Sequence, residues 1–170
     1  MADTGSYGTA AFSLLFWTCG GLHNLGAERS PEEIVECLTE WTTVFGRIVA
    51  RFGGQIASGY LEPMLGLWEE KRPVSRRAFD AARELVTLGA GQGADANVLV
   101  SHGQCVYHRE GGKITVFGGS LNRGLSLSAD LTRRVIRLGV DSLVIEDCPW
   151  RDATRAHGDV YDLTLRNGDA

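Results

Sequence analysis

The chain has 170 residues, of which 44% are hydrophobic and 22% are charged, and its formal net charge is -4. This length suits one domain with a proper core, and the mild acidity argues against a nucleic-acid binder, which needs a basic excess. The start carries no basic segment, and the apolar run at residues 10–17 is far shorter than the roughly 20 residues that span a bilayer. We therefore expect a cytoplasmic protein with no membrane span and no nucleic-acid partner.

The four cysteines are scattered along the chain and form no C-x-x-C pair. This spacing indicates reduced, mostly buried thiols and not a disulfide framework. Cys19 with His23 and Cys105 with His108 have a metal-like spacing, but neither pair has a companion pair. We predict no metal site and no cofactor.

The first 54 residues predict a strand followed by a long helix. Residues 1–9 are small and polar and are expected to be a flexible N-terminus, whereas residues 10–18 are apolar enough for a strand buried on both faces. Ser30-Pro31-Glu32-Glu33 combines a capping serine, a proline at the first helical position and a glutamate three residues after the cap. Apolar residues then recur every three or four positions until Gly53-Gly54 ends the helix.

A hairpin and a second helix are predicted next. Residues 55–60 and 64–68 are strand candidates, and Leu61-Glu62-Pro63 forms an atypical tip because proline cannot take the positive φ of the favoured turns. Residues 74–88 have the apolar spacing of a helix. The glycine-rich segment 89–93 predicts a loop, and it differs from a phosphate-binding loop because it follows a helix and not a strand.

Residues 97–101 and 104–108 predict another pair of strands around His102-Gly103. Ser101 and His102 are adjacent, which suggests a nucleophile with its base. Neighbouring residues of a strand point to opposite faces, however, so we do not predict such a pair.

A junction at Lys113–Ser128 joins a strand to a helix through Gly118-Gly119. Lys113 to Phe117 alternate and include three β-branched residues at 114–116, as in a strand, and Ser120 is predicted to cap the helix that follows. Strands are also predicted at residues 142–146 and 160–165, with a turn at His157-Gly158 before the last of them.

The predicted order is strand, helix, two strands, helix, strand, followed by additions. This order indicates an α+β fold with a ferredoxin-like βαββαβ core, in which helices cover one face of an antiparallel sheet. We assign residues 10–166 to a single domain and residues 167–170 to a C-terminal tail.

From about Ala11 to Leu165 the chain resembles the catalytic domain of the class III nucleotidyl (adenylyl and guanylyl) cyclases. That family opens with F-x-D-I-x-G-F, and here residues 16–22 read F-W-T-C-G-G-L. It continues with S-P-E-E and a helix ending in G-G, as at residues 30–33 and 53–54. It later has T-V-x-G-[DS]-x-V-N, and here residues 115–122 read T-V-F-G-G-S-L-N. The resemblance therefore implies the class III cyclase fold.

The resemblance also implies six functional positions, most of which are altered here. In the family, two aspartates hold two divalent ions, a pair of residues reads the base, an asparagine belongs to the site, and an arginine four residues later steadies the triphosphate in the transition state. In that order the positions fall at Thr18, Glu62, Ser58, Gly119, Asn122 and Ser126. Only Asn122 matches the family residue. Glu62 keeps the negative charge of the family's aspartate but on a longer side chain. Arg123 is nearby but points about a hundred degrees away from Asn122 on a helix, so it is not an obvious substitute.

These changes predict a catalytically inactive, bacterial-type stand-alone domain, and so not an enzyme, that acts as a dimeric regulatory or protein-interaction module. One alternative is a pseudo-enzyme that binds a nucleotide or another small signalling ligand through Asn122, Glu62, Trp17 and Tyr60, although aromatic residues at strand positions are more often core. Another is a helper subunit of a heterodimeric cyclase. Family dimers use the strand extension that includes Gln104 to Thr115 here, so we expect a homodimer with a protein partner of unknown identity.

Overall fold

The computed structural model describes residues 5–19, 29–70, 74–91, 96–134, 136–150 and 153–163. No helix in these segments is long and apolar enough to cross a membrane. The strands and helices of this part of the chain are β1 (Ser6–Cys19), α1 (Pro31–Arg51), β2 (Gln55–Ile56), β3 (Met64–Glu69), α2 (Arg76–Gly91), β4 (Ala96–Glu110), β5 (Lys113–Phe117), α3 (Gly119–Arg134), β6 (Leu138–Asp141), β7 (Ala153–His157) and β8 (Val160–Leu163).

The strands form one sheet in the order β2-β3-β1-β4-β6-β8-β7, and β5 pairs with β4 outside this path. β1 is central and runs antiparallel to both β3 and β4, whereas β4 and β6 are parallel. The predicted α+β class is confirmed: a sheet carries the helices.

The helices cover both faces of the sheet, so the prediction that they lie on one face was wrong. Leu15 and Trp17 of β1 pack in the core beneath α1 and α2. Phe12 and Phe16 point the other way and share a second core with residues of α3. Because β1 is apolar on both faces, it needs a covering layer on each side.

The start and end of α1 confirm the predicted signals. Ser30 Oγ accepts a hydrogen bond from the Glu33 backbone N–H at 3.3 Å, and the Glu33 carboxylate accepts one from the Ser30 N–H at 2.8 Å. Pro31 occupies the first turn, and Gly53 follows the helix with a φ of 74°. The capping box therefore sets where this helix begins.

The first strand is longer than predicted and the hairpin strand is shorter. β1 begins at Ser6, because residues 6–9 pair with residues 106–109 of β4 and are not a free terminus. β2 ends at Ile56, after which Ala57 bridges to Ile114 and the Ser58 N–H donates to the Ile114 carbonyl at 2.7 Å. The Ala57 N–H still binds the Leu65 carbonyl of β3 at 2.9 Å, so the chain moves from β3 to β5 between Ala57 and Ser58.

β4 is one strand of 15 residues where two strands were predicted. Gly103 looks like a turn residue in the sequence, but it pairs directly with Phe12. A Cβ atom at Gly103 would lie 2.1 Å from Ser120 Oγ, so the glycine is required by the close approach of α3. The predicted loop at 89–93 also differs, since α2 continues through Gly91; residues 92 and 93 lie outside the described segments.

The last part of the chain shifts the predicted elements by a few residues. α3 begins at Gly119, so Ser120 lies inside the first turn and does not precede the helix. The strand expected at 142–146 is a 3₁₀ helix at Ser142–Asp147, because the Asp141 side chain accepts from the Leu143 N–H at 3.0 Å and ends β6 there. The turn after His157 is confirmed, with Gly158 at a φ of 54°, but β7 was not predicted.

Candidate functional site

Thr18 and Glu62 lie at the same end of the sheet. Trp17 pairs with Met64, so the end of β1 adjoins the segment that leads into β3. Thr18 is only 6% exposed, and its Oγ1 lies 3.2 Å from Ser128 Oγ of α3 in a buried hydrogen bond. Glu62 is exposed. The two positions come to one edge, but the Thr18 hydroxyl is already engaged by α3.

The residues at these positions do not fit the pair of divalent ions that the resemblance implies. Such ions are bound by several oxygen ligands, among which carboxylates supply the charge. Thr18 is neutral, and its hydroxyl faces another hydroxyl inside the core. Among the described residues, no three His, Cys, Asp or Glu side chains lie together in a way that could hold a metal.

Ser58 and Gly119 are not neighbours along β5. The Ser58 N–H binds the carbonyl of Ile114 near the start of β5, whereas Gly119 follows the far end of this five-residue strand. Ile114 and the last strand residue, Phe117, are separated by about 10 Å of extended chain at about 3.3 Å per residue, and Gly119 lies beyond Phe117 at the start of α3. Thr115 is the polar residue next to the Ser58 contact, and the Ala57–Ile114 bridge places it there.

Asn122 and Ser126 are both exposed on α3. Gly119 lies three residues before Asn122, and Ser126 lies four residues after it, so the three positions form one stripe on the outer side of the helix. A Cβ atom at Gly119 would meet no atom of the described residues within 4 Å. The Asn122 side chain makes no hydrogen bond to any described residue, and its N–H makes the ordinary helical bond to Gly118. This stripe is therefore open but carries no formal charge.

The two aromatic residues proposed for ligand stacking have other partners. Trp17 is 1% exposed, and its ring packs on Phe45 and Trp41 with centroid distances of 5.4 and 5.2 Å. Tyr60 donates its hydroxyl to the Val116 carbonyl at 3.1 Å, and burial raises its pKa. Both rings thus contribute to packing around the sheet.

A buried ion-pair cluster, which sequence reasoning missed, ties α3 to β6. Arg123 donates to both carboxylate oxygens of Asp141, from Nε at 3.0 Å and from Nη2 at 2.9 Å, while its Nη1 binds Asp159 at 3.0 Å. Asp141 is fully buried and also accepts from Ser101 Oγ at 2.8 Å. Arg123 is therefore held away from the Asn122 stripe. Its position next to Asn122 was visible in the sequence, but its partners were not.

The cluster sets the charge of Asp141 despite its burial. Desolvation raises the pKa of this carboxyl, but hydrogen bonds from Arg123, the Leu143 N–H and Ser101 outweigh it, so the pKa lies below its usual range. Asp141 also raises the pKa of Arg123. Both groups remain charged near neutral pH, which makes the cluster a fixed internal salt bridge.

One face of the sheet outside the helical layers carries exposed apolar side chains. Thr9, Val106 and Phe117 lie side by side on β1, β4 and β5, and the next row consists of Tyr7, His108 and Thr115. Tyr7, Val106 and Phe117 are exposed, and the Tyr7 ring stacks on His108 at 4.3 Å. We call these six residues the exposed sheet face.

Comparison with solved structures places the fold among nucleotide cyclase domains. The chain matches a bacterial light-regulated adenylyl cyclase with 17% identity and a TM-score of 0.68, covering 92% of this chain and 52% of that one. It matches the adenylyl cyclase CyaB from P. aeruginosa with 13% identity and a TM-score of 0.64, covering 95% and 98%.

A third match is the guanylate cyclase domain of RhGC from Catenaria anguillulae in complex with GTP, with 12% identity and a TM-score of 0.70, covering 94% and 99%. No family model and no curated protein matches the sequence. At these identities the matches establish the fold, which is that of adenylyl and guanylyl cyclase catalytic domains.

Proposed function

We propose that this cyclase-fold chain is a catalytically inactive domain that acts as a dimeric regulatory or protein-interaction module. The observation that carries the proposal is the buried hydrogen bond between Thr18 and Ser128. It occupies the place where the resemblance implies a metal-binding carboxylate. A hydroxyl pair inside the core supplies neither the charge nor the open oxygen ligands that an activated 3′-hydroxyl requires.

The arrangement of Arg123 supports the same proposal. Ser126 stands where the resemblance implies the arginine that steadies the triphosphate, and Arg123 is the nearest cation in sequence. Its guanidinium binds Asp141 and Asp159 and is thereby turned away from the stripe that carries Asn122. Losing one such preorganised contact typically costs about 3 to 4 kcal/mol of transition-state stabilisation, and here both the cation and a metal carboxylate are replaced.

The exposed sheet face supports the binding part of the proposal. Monomeric proteins rarely expose contiguous apolar patches larger than a few hundred Å², and larger patches mark interaction sites. Val106 belongs to the strand extension through which the resemblance implies dimer formation, Phe117 pairs with Val106 directly, and the exposed face continues onto Tyr7 of β1. We therefore propose that this face contributes to a homodimer interface.

Activity is tested by incubating the purified chain with ATP or GTP and Mn²⁺, beside a Glu62→Ala variant and an active cyclase as a positive control. We expect no cyclic nucleotide above the level of the variant. Product formed by the wild type and lost in Glu62→Ala would overturn the proposal of inactivity.

A thermal-shift screen with nucleotides separates the protein-interaction module from the nucleotide-binding alternative. A ligand at 100 times its dissociation constant adds about 2.7 kcal/mol to the free energy of unfolding. We expect no such shift with ATP, GTP or cyclic nucleotides. A shift that is lost in Asn122→Ala would support the nucleotide-binding pseudo-enzyme instead.

The dimer is tested by size-exclusion chromatography with light scattering over a range of concentrations. We expect a dimer for the wild type and a monomer for Phe117→Lys, because the charge would be buried without a partner. Leu143→Lys is the matched control, since Leu143 is exposed on the 3₁₀ helix outside the sheet face. A wild type that stays monomeric at high concentration would contradict the proposed interface.

A further inference from the structure

A cavity of about 300 Å³ lies between the second half of α3 and the turn that joins β7 to β8. Its apolar wall is formed by Leu127, Leu131, Ile136 and Val160. This volume is at the lower end of the range for small-molecule sites, which are mostly apolar with a few fixed polar groups. The cavity does not include the stripe of α3 that carries Asn122, so a ligand here would be independent of the candidate cyclase site.

The polar part of the cavity wall contains two carboxylates and one guanidinium, from Asp130, Asp159 and Arg134. Asp130 is balanced by Arg133, whose Nη2 lies 3.2 Å away on the exposed side of the helix. Arg134 makes no ion pair or hydrogen bond with any residue in the described segments. Within the described residues, the cavity therefore presents one cation that no carboxylate balances.

Asp159 shares its cationic partner, Arg123, with a second carboxylate. It binds Arg123 through one guanidinium nitrogen, while Asp141 takes two nitrogens of the same group. One cation thus serves two carboxylates. Asp141 is fully buried, but the Asp159 side chain is 53% exposed and lines the cavity. It can accept hydrogen bonds from a cationic group that enters there.

We propose that this cavity binds a small zwitterion, a free α-amino acid with an aliphatic side chain. The ammonium group binds Asp159, the carboxylate binds Arg134, and the side chain lies on the apolar wall. A ligand with both charges compensates Arg134 and Asp159 together, whereas a simple anion or a simple amine leaves one of them unmatched. Arginine is suited to this role because its planar fork binds carboxylates through two hydrogen bonds.

Isothermal titration calorimetry of the wild-type chain tests the proposal with three probes of matched size. L-Leucine carries both charges, 4-methylpentanoate carries only the carboxylate, and 3-methylbutylamine carries only the ammonium. We expect saturable binding of L-leucine, and each single-charge probe should bind about tenfold more weakly or worse, because it lacks one charge-assisted hydrogen-bonded group. No saturable binding of L-leucine at millimolar concentrations, or equal binding of a single-charge probe, would overturn the proposal.

Two neighbouring arginines of α3 provide a matched pair of variants. Arg134→Gln should weaken L-leucine binding about tenfold or more, whereas Arg133→Gln should leave it unchanged, since Arg133 does not line the cavity. Both positions are exposed, so both variants should fold, which circular dichroism and the unfolding midpoint check. Equal L-leucine affinity in wild type and Arg134→Gln would refute the assignment. None of these results depends on whether the chain makes cyclic nucleotides or forms a dimer.

Discussion

The two halves of the β1–β4 strand pair have different environments. In the closed half, residues 12–18 of β1 lie opposite residues 97–103 of β4, and helices cover both faces. In the open half, residues 6–11 lie opposite residues 104–109, and one face is the exposed sheet face. One end of the strand pair thus lies in a filled core, and the other end has a face that is exposed.

This difference indicates where the domain can act. The first position at which the resemblance implies a metal ligand lies in the closed half, where the Thr18 hydroxyl is hydrogen-bonded to Ser128 within the core. The open half carries apolar side chains that nothing in the described structure covers. Substitutions in the closed half should therefore change stability, and substitutions in the open half should change association.

Asp141→Asn should have the largest effect on stability. Removing one charge of a buried pair typically costs 3 kcal/mol or more, and we expect about 3 kcal/mol because Arg123 keeps Asp159 as a partner. Urea unfolding at neutral pH measures the difference. Asp130→Asn is the control: its pair with Arg133 is exposed, so the loss should stay below about 1 kcal/mol. A similar cost in both variants would contradict the role of the buried cluster.

The same cluster predicts how stability depends on pH. Hydrogen bonding lowers the folded-state pKa of Asp141, so the unfolded chain binds this proton more readily. The contribution is complete above the unfolded pKa and is lost as the pH falls through the folded value. Between neutral pH and the acid range, the wild type should therefore lose more stability than Asp141→Asn, as unfolding curves at several pH values would show.

Two glycines of α3 give the next largest contrast. A Cβ atom at Gly124 would lie 2.2 Å from the Phe16 ring, so Gly124→Ala should cost about 1 to 3 kcal/mol through overpacking. The added methyl of Gly119→Ala meets no atom of the described part of the chain within 4 Å, and the variant should be neutral or slightly stabilising, because alanine favours a helix. Chemical denaturation of both variants measures the difference in stability. Equal unfolding midpoints would show that α3 does not pack closely against β1 at Gly124.

A smaller effect is expected at the hydroxyl pair of the closed end. Thr18→Val leaves Ser128 without its partner and should cost about 1 kcal/mol, and Ser128→Ala should cost about the same. The double variant should lose less than the sum, since no buried hydroxyl remains unpaired. A double-mutant cycle by urea unfolding measures this coupling, and strictly additive costs would mean that the two hydroxyls do not interact.

The open half should show the smallest change in stability. Phe117→Lys replaces an exposed side chain, so the free energy of unfolding should change by no more than about 0.5 kcal/mol when measured at a concentration where the wild type is also monomeric. A large loss under these conditions would place Phe117 in the monomer core and not on an interface.

The sequence predicted those elements whose signals are local. The capping box of α1 involves residues three apart, and the β5–glycine–α3 junction is one continuous stretch, so both were found at about the right place. β4 was divided into two strands because Gly103 resembles a turn, and the reason for this glycine is Ser120, which is distant in sequence. Such contacts are invisible until the chain is folded.

The candidate site was predictable only as a set of positions. The replacement of an acidic residue by Thr18 could be seen from the motif, but its pairing with Ser128 could not. The sequence suggested that Arg123 points away from the stripe, yet the acids that hold it, Asp141 and Asp159, follow on later strands and turns. Side-chain partners of this kind depend on sheet register, which periodicity does not provide.

The composition of β1 has a consequence for biosynthesis. All 14 of its residues are uncharged, and its partner strand β4 is made some 80 to 100 residues later. At about 5 to 20 residues per second, the ribosome needs roughly 5 to 20 seconds to supply that partner. During this delay, β1 is a long, uncharged segment of high β-propensity, which is typical of aggregation-prone sequences. The yield of folded protein should therefore increase when nascent chains are kept dilute or bound by chaperones.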